Sequence, residues 1–123
     1  QTMDFVFSED VAHANILAAK SDVCDEVFNV ASGRETSLKG LLDTLLKVTG
    51  HTDVRPEFLP ERKVNPVPRR LASTEKARRI LGFECRVGLE EGLRRLCTWR
   101  REIITRRQRQ HYDPQYQAVR SPT

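Results

Sequence analysis

A chain of 123 residues has room for one small domain and not for two full ones. With 38% hydrophobic and 31% charged residues it has the make-up of a folded, slightly charge-rich protein, and no apolar run approaches the ~20 residues that a membrane-spanning helix needs. The net charge of +4 is gathered in one place: seven arginines and a single acid, Glu102, lie between Arg94 and Arg109, while the rest of the chain is close to neutral.

The chain enters an apolar pattern almost at once after Gln1, as a piece cut from something longer would. Asp4-Phe5-Val6-Phe7 predicts a short strand, ended by Ser8-Glu9-Asp10. Ser8 is placed to N-cap a helix over Val11–Lys20, and the two acids after it suit the positive helix end. Ala12, Ala14, Ala18 and Ala19, with Ile16 and Leu17, put small or apolar residues on most sides of that helix, so it is expected to be buried between neighbours. Ser21–Glu26 is a polar loop, and Val27-Phe28-Asn29-Val30 reads as the next strand. In the turn that follows, Gly33 is expected to supply a backbone angle closed to other residues, and Thr36 or Ser37 to cap a helix over Ser37–Thr49. Leu38, Leu41, Leu42, Leu45 and Val48 of that helix share one stripe, and Gly50 stands just past its end.

Val54–Leu59 predicts an edge strand, because Pro56 has no N–H to give to a ladder. The proline-interrupted residues 60–71, PERKVNPVPRRL, predict an extended ordered loop. A short helix follows, capped by Ser73 or Thr74, with Ala77, Ile80 and Leu81 inward and Gly82 as its stop. After Phe83 a loop leads to Leu89, where a helix starts with Leu89, Leu93, Leu96 and Ile103 on one side and Cys97 and Trp99 on its flanks; Arg100 inside that stripe marks where burial should end. Residues 1–107 are thus expected to be ordered, and residues 108–123, without periodicity, to form a disordered tail.

Few residues point to chemistry. Cys24, Cys85 and Cys97 are odd in number and scattered, which predicts reduced thiols and a cytoplasmic setting. His13, His51 and His111 have no ligand-like spacing, so no metal site is expected. Asp10 reads as a cap or as the partner of a basic residue, and Glu90 and Glu91 sit where a helix start favours negative charge. The arginine cluster could meet phosphates, but cations near a helix C-terminus also suit the macrodipole, and nucleic-acid binding ranks last.

Four segments carry a resemblance: DFVFSEDVAHA (4–14), FNVASGRETSL (28–38), PERKVNPVPRRLASTEKARRILGF (60–83) and VGLEEGLRRLCTWRRE (87–102). Their order and spacing resemble the C-terminal part of extended short-chain dehydrogenase/reductases, in the branch of NAD-dependent sugar-nucleotide epimerases and dehydratases, over about residues 2–104. The resemblance implies an α/β fold: a small C-terminal lobe of an extended Rossmann-type epimerase, few strands with about 4–5 helices, the Rossmann nucleotide-binding half absent. It implies a partner, a nucleoside-diphosphate sugar, and NAD or NADP for the full-length protein, with no cofactor in this chain. Its own Rossmann half or a homo-oligomer would be the protein partner, with no membrane and no nucleic acid.

What the resemblance implies for single residues is uneven. The family's glycine fingerprint has no counterpart in the spacing of Gly33, Gly40, Gly50, Gly82, Gly88 and Gly92, and four residues on from Tyr112 and Tyr116 stand Tyr116 and Arg120 where its catalytic pair has a lysine. The chain alone is therefore expected to be non-catalytic. Met3 stands where the family has a phosphate-contacting arginine; a second such arginine falls by motif on Arg62, with Val64-Asn65-Pro66 replacing the usual Gly-Asp. Arg62, Arg70, Asn29 and Arg34 are the candidate substrate-binding residues. Arg69 and Arg70 also read as surface or interdomain charges, and Arg34 as a partner for Glu35 or Glu9. The alternative reading is a non-catalytic binding or oligomerisation module derived from the same family.

Overall fold

The computed structural model describes residues 1–57, 59–60 and 67–111, with side chains as far as Arg107. The elements run β1 (Thr2–Asp4), α1 (Ser8–Lys20), β2 (Glu35–Ser37), α2 (Leu38–Thr49), α3 (Glu75–Leu81) and α4 (Leu89–His111). Among the described residues this is a small α/β unit of four helices and a two-stranded antiparallel ribbon, in which Thr2 faces Ser37, Met3 faces Thr36 and Asp4 faces Glu35. The far edge of β1 is used as well. Thr2 N–H donates to Pro68 O at 3.0 Å and Thr2 O accepts from Arg70 N–H at 3.0 Å, a parallel bridge that draws the 67–70 segment alongside.

The first strand lies two residues earlier than its apolar pattern suggests, at 2–4 and not 4–7. Phe5, Val6 and Phe7 leave the ladder because their side chains have better use elsewhere: they line a cavity of about 280 Å³ closed by Leu41 of α2 and Leu89, Leu93 and Leu96 of α4. Gly92 makes that approach possible, since a Cβ there would lie 3.0 Å from Phe7 Cδ2. α1 starts at Ser8, and Phe7 is its N-cap residue, its carbonyl accepting from Asp10 and Val11 with no side-chain cap. Ser8 is therefore the first helical residue and not the cap; Glu9 and Asp10 in the first turn offset the uncapped end.

The core is built on α1, α3 and the chain that follows it: Ala14, Ala77, Leu81 and Phe83 are buried, with Leu17, Phe28, Val30, Ile80 and Cys85 packed around them. α2 packs against α4 as the other half of the unit. α1 is not enclosed as its alanines suggest. Only Asp10 and Ala14 are buried; Ala12, Ala18 and Ala19 are exposed, and Ile16 is 52% exposed. Residues 27–30 form no strand, since no neighbouring strand pairs with them among the described residues; Phe28 and Val30 pack on the core while Val27 is 83% exposed. The expected edge strand is likewise missing over residues 54–57, and Phe58 lies outside the described residues.

α2 follows the sequence closely. Ser37 Oγ accepts from Gly40 N–H at 3.0 Å, and the helix ends at Gly50. α3 has Thr74 as its N-cap residue, as expected, but at φ −98°, ψ 2° the Thr74 side chain makes no capping bond. α4 runs past residue 107 to His111, so the helix continues beyond the predicted boundary; residues 112–123 lie outside the described residues.

Candidate functional site

The ribbon presents two faces, because side chains alternate along a strand and directly paired residues point the same way. Thr2, Asp4, Glu35 and Ser37 share one face, and Met3 and Thr36 share the other. Asp4 works as a clasp. Its Oδ1 accepts from Ser32 N–H at 2.8 Å and Ser32 Oγ at 2.5 Å, and its Oδ2 accepts from Gly33 N–H at 2.9 Å. Gly33 takes φ +69° to bring its N–H to the carboxylate, a conformation that L side chains resist. The opening turn of the 31–34 loop is therefore fixed to the ribbon.

Glu35 is held from two sides: Arg69 Nε and Nη2 each reach a different carboxylate oxygen at 2.8 Å, and Thr2 Oγ1 donates at 2.6 Å. The Arg69 guanidinium, and then the Thr2 hydroxyl, hold the Glu35 carboxyl down at about 2. Arg69 thus closes the edge of the ribbon. The expected pairing of Arg34 with Glu35 or Glu9 does not form, because Arg69 occupies Glu35 and Arg95 holds Glu9 at 2.9 Å. Among the described residues no carboxylate lies within ion-pair distance of the Arg34 guanidinium.

Released from those acids, Arg34 lines a small polar hollow of about 90 Å³ together with Arg86, Ser32, Thr36 and the start of α4 at Gly88 and Leu89. Asp10 fixes the wall that carries Arg86. It is 3% exposed and accepts from Arg86 N–H at 3.1 Å, Val87 N–H at 3.0 Å and the Cys85 thiol at 3.2 Å. Burial alone would raise its pKa, but the Val87 and Arg86 amides and the Cys85 thiol together outweigh it and leave the carboxyl below its ordinary value. Burial, and then the bond to Asp10, push the Cys85 thiol up. Asp10 thus caps no helix with its side chain; its carboxylate, which also feels the charge of Arg86, ties the first turn of α1 to the chain leading into α4.

Of the three candidate site residues that are described, Arg34 alone lines this hollow. Asn29 is exposed and its Nδ2 donates to Ser73 O at 3.2 Å, a tie between two connecting segments. Arg70 is exposed and bonds through its backbone to Thr2. Arg62 lies outside the described residues. Sequence reasoning missed Asp4, Arg86 and the true role of Asp10. An acid inside an apolar strand pattern is the one available signal for Asp4; nothing in the sequence around Arg86 distinguishes it from a surface cation.

Other features of chemical interest are surface ones. Arg94 and Arg95, the first members of the arginine cluster, are engaged by Glu90, Glu91 and Glu9 at 2.8–2.9 Å, and Lys47 of α2 reaches Glu90 at 2.9 Å. Among the described residues no group of three or more His, Cys, Asp or Glu is placed to hold a metal ion, and no helix is long and apolar enough to cross a membrane.

No family model matches the chain. It is similar to the UDP-glucose 4-epimerase of Mycolicibacterium smegmatis, 37% identical over 92 residues, which is 75% of this chain and 29% of the relative. It is also similar to a putative UDP-glucose 4-epimerase of Methanocaldococcus jannaschii, 31% identical over 99 residues, 80% of this chain and 31% of the relative. Among solved structures it resembles the UDP-glucose 4-epimerase of Thermotoga maritima with UDP-glucose, at 37% identity and a TM-score of 0.76, covering 82% of this chain and 32% of that one. The Bordetella bronchiseptica enzyme WbmF in complex with NAD+ and UDP matches at 36% identity and a TM-score of 0.70, over 85% of this chain and 30% of its own. The chain spans about 30% of the length of these relatives.

Proposed function

Because this chain matches the C-terminal part of an extended short-chain dehydrogenase/reductase, in the family of NAD-dependent sugar-nucleotide epimerases, we propose that it is the substrate-holding part of a cytoplasmic nucleoside-diphosphate-sugar epimerase or dehydratase. The likeness to an epimerase structure with UDP-glucose, at a TM-score of 0.76, is the observation that carries the reading. By its motif Arg62 is the diphosphate contact in this reading, and Arg34, which lines the polar hollow, is the described candidate beside a cavity. NAD or NADP belongs to the whole protein and not to this part. The residues of this chain do not fit a dinucleotide, since no glycine fingerprint follows a strand and no lysine stands four residues after a tyrosine, so no redox step is assigned to it. The apolar side of α1, with Ala12, Ile16 and Ala19 at helical spacing, seats against the remainder of the protein together with Val27.

Calorimetry of the 123-residue chain with UDP-, dTDP- and GDP-sugars tests this. Micromolar binding that disappears in Arg62→Ala is the expected result. Absence of binding together with a stable oligomer would favour the second reading, a non-catalytic binding or oligomerisation module, which Met3 favours by standing where the family has a phosphate-contacting arginine.

A further inference from the structure

The hollow beside β2 has the makings of an anion site that owes nothing to position 3 or position 62. Two arginines, Arg34 and Arg86, line it, and among the described residues neither guanidinium lies within ion-pair distance of a carboxylate. The hydroxyl-bearing Ser32 and Thr36 line it as well. α4, a helix of 23 residues, begins at its wall, and Gly88 before it has no side chain to cap the free N–H groups of the first turn. The acids of that turn do not fill the role: Glu91 is spent on Arg94 and Arg95, and Glu90 on Lys47 and Arg94. Asp10, the buried carboxylate nearest this wall, has its oxygens taken by Arg86 N–H, Val87 N–H and the Cys85 thiol.

We infer that this hollow binds a phosphate-type oxyanion between the guanidiniums of Arg34 and Arg86, against the start of α4. Its volume of about 90 Å³ is roughly that of three waters, at about 30 Å³ of liquid per water, the scale of one tetrahedral oxyanion and its shell. Guanidinium forks suit two oxygens of such an anion, and a helix start adds partial positive charge from the same side. The walls are fixed before any ligand arrives, since Asp4 pins Ser32 and Gly33 while Asp10 pins Arg86 and Val87. The anion can be free phosphate or the phosphate of a nucleotide; the chemistry asked of the hollow is the same. The inference stands on this geometry and not on the nucleotide-sugar reading.

The test is an amide NMR titration of the 123-residue chain with inorganic phosphate, in parallel with UDP and with uridine. Saturable shifts at Ser32, Arg34 and Gly88–Glu91 are expected with phosphate and UDP and not with uridine. In Arg34→Gln plus Arg86→Gln the Kd should rise at least about tenfold with the fold intact, and the double lysine variant should fall between, keeping charge but losing the fork. A tighter Kd for UDP than for phosphate names the nucleotide as the source, and equal values name the free anion. Shifts that do not saturate, that map elsewhere, or that survive the double glutamine change overturn the proposal. If phosphate binds while no UDP-sugar does, the substrate-holding reading falls and the hollow stands; UDP-sugar binding that survives the double variant but is lost in Arg62→Ala overturns the hollow and leaves the substrate-holding reading on Arg62.

Discussion

Replacing Asp4 by alanine should loosen the 31–34 loop and the ribbon together. The carboxylate accepts three hydrogen bonds, two from backbone N–H groups and one from the Ser32 hydroxyl. A hydrogen bond to a charged group contributes about 1.5–3 kcal/mol. Ser32 is half-buried and Gly33 exposed, so water replaces part of what is lost. The bonds also act as a unit, so their contributions do not simply add. The expected loss for Asp4→Ala is about 2–3 kcal/mol. Asp4→Asn keeps one acceptor oxygen but turns an NH₂ toward either Ser32 or Gly33, so it should lose about 1–2 kcal/mol. Urea denaturation reads the change as a lowered midpoint at constant slope. Hydrogen exchange should speed up at the Ser32 and Gly33 amides more than at amides in α2. Equal stability of wild type and Asp4→Ala within about 0.5 kcal/mol, with unchanged exchange at those two amides, would refute the clasp.

Two further outcomes are expected. Glu35 has its pKa depressed in the folded chain, so its pairing with Arg69 contributes stability that is complete above the unfolded value near 4.5 and is lost as pH falls through about 2; a carboxyl-carbon NMR titration should find its midpoint far below that of an exposed glutamate, and an ordinary midpoint would remove the Arg69 bridge. Gly92→Ala gains up to about 1 kcal/mol of helix propensity but drives a methyl to 3.0 Å from the Phe7 ring, a clash of about 1–3 kcal/mol; net destabilisation in thermal melts is expected, and a raised Tm would show that Phe7 does not pack there.

The parts of the fold legible in the sequence are those set by local rules. α2 has its Ser37 cap and its terminal glycine, and both hold; of its stripe Leu41, Leu42, Leu45 and Val48 are half-buried while Leu38 is exposed. Ala77 and Leu81 of α3 and the stop at Gly82 were equally readable. What failed depends on partners distant in sequence. Phe5–Phe7 looks like strand but goes to a cavity wall with α2 and α4, and the short strand forms instead on Thr2–Asp4, where residues 35–37 and 67–70 supply backbone partners. Residues 27–30 have strand chemistry without a strand beside them among the described residues. At the site, Arg34 was readable as a cation on a glycine turn, but its release depends on Arg69 and Arg95 occupying the two acids expected to hold it. Arg86 enters only through the fold, which sets it against a loop more than fifty positions earlier.

The clasp also has a kinetic side. Asp4 reaches 28 and 29 positions along the chain to Ser32 and Gly33, and Gln1 reaches 66 positions to Val67, whereas α2 and α4 need only neighbours to wind. Closing loops of that length costs chain entropy before any bond returns it, so the helices should organise first and the hollow between Arg34 and Arg86 should be among the last features to appear during refolding.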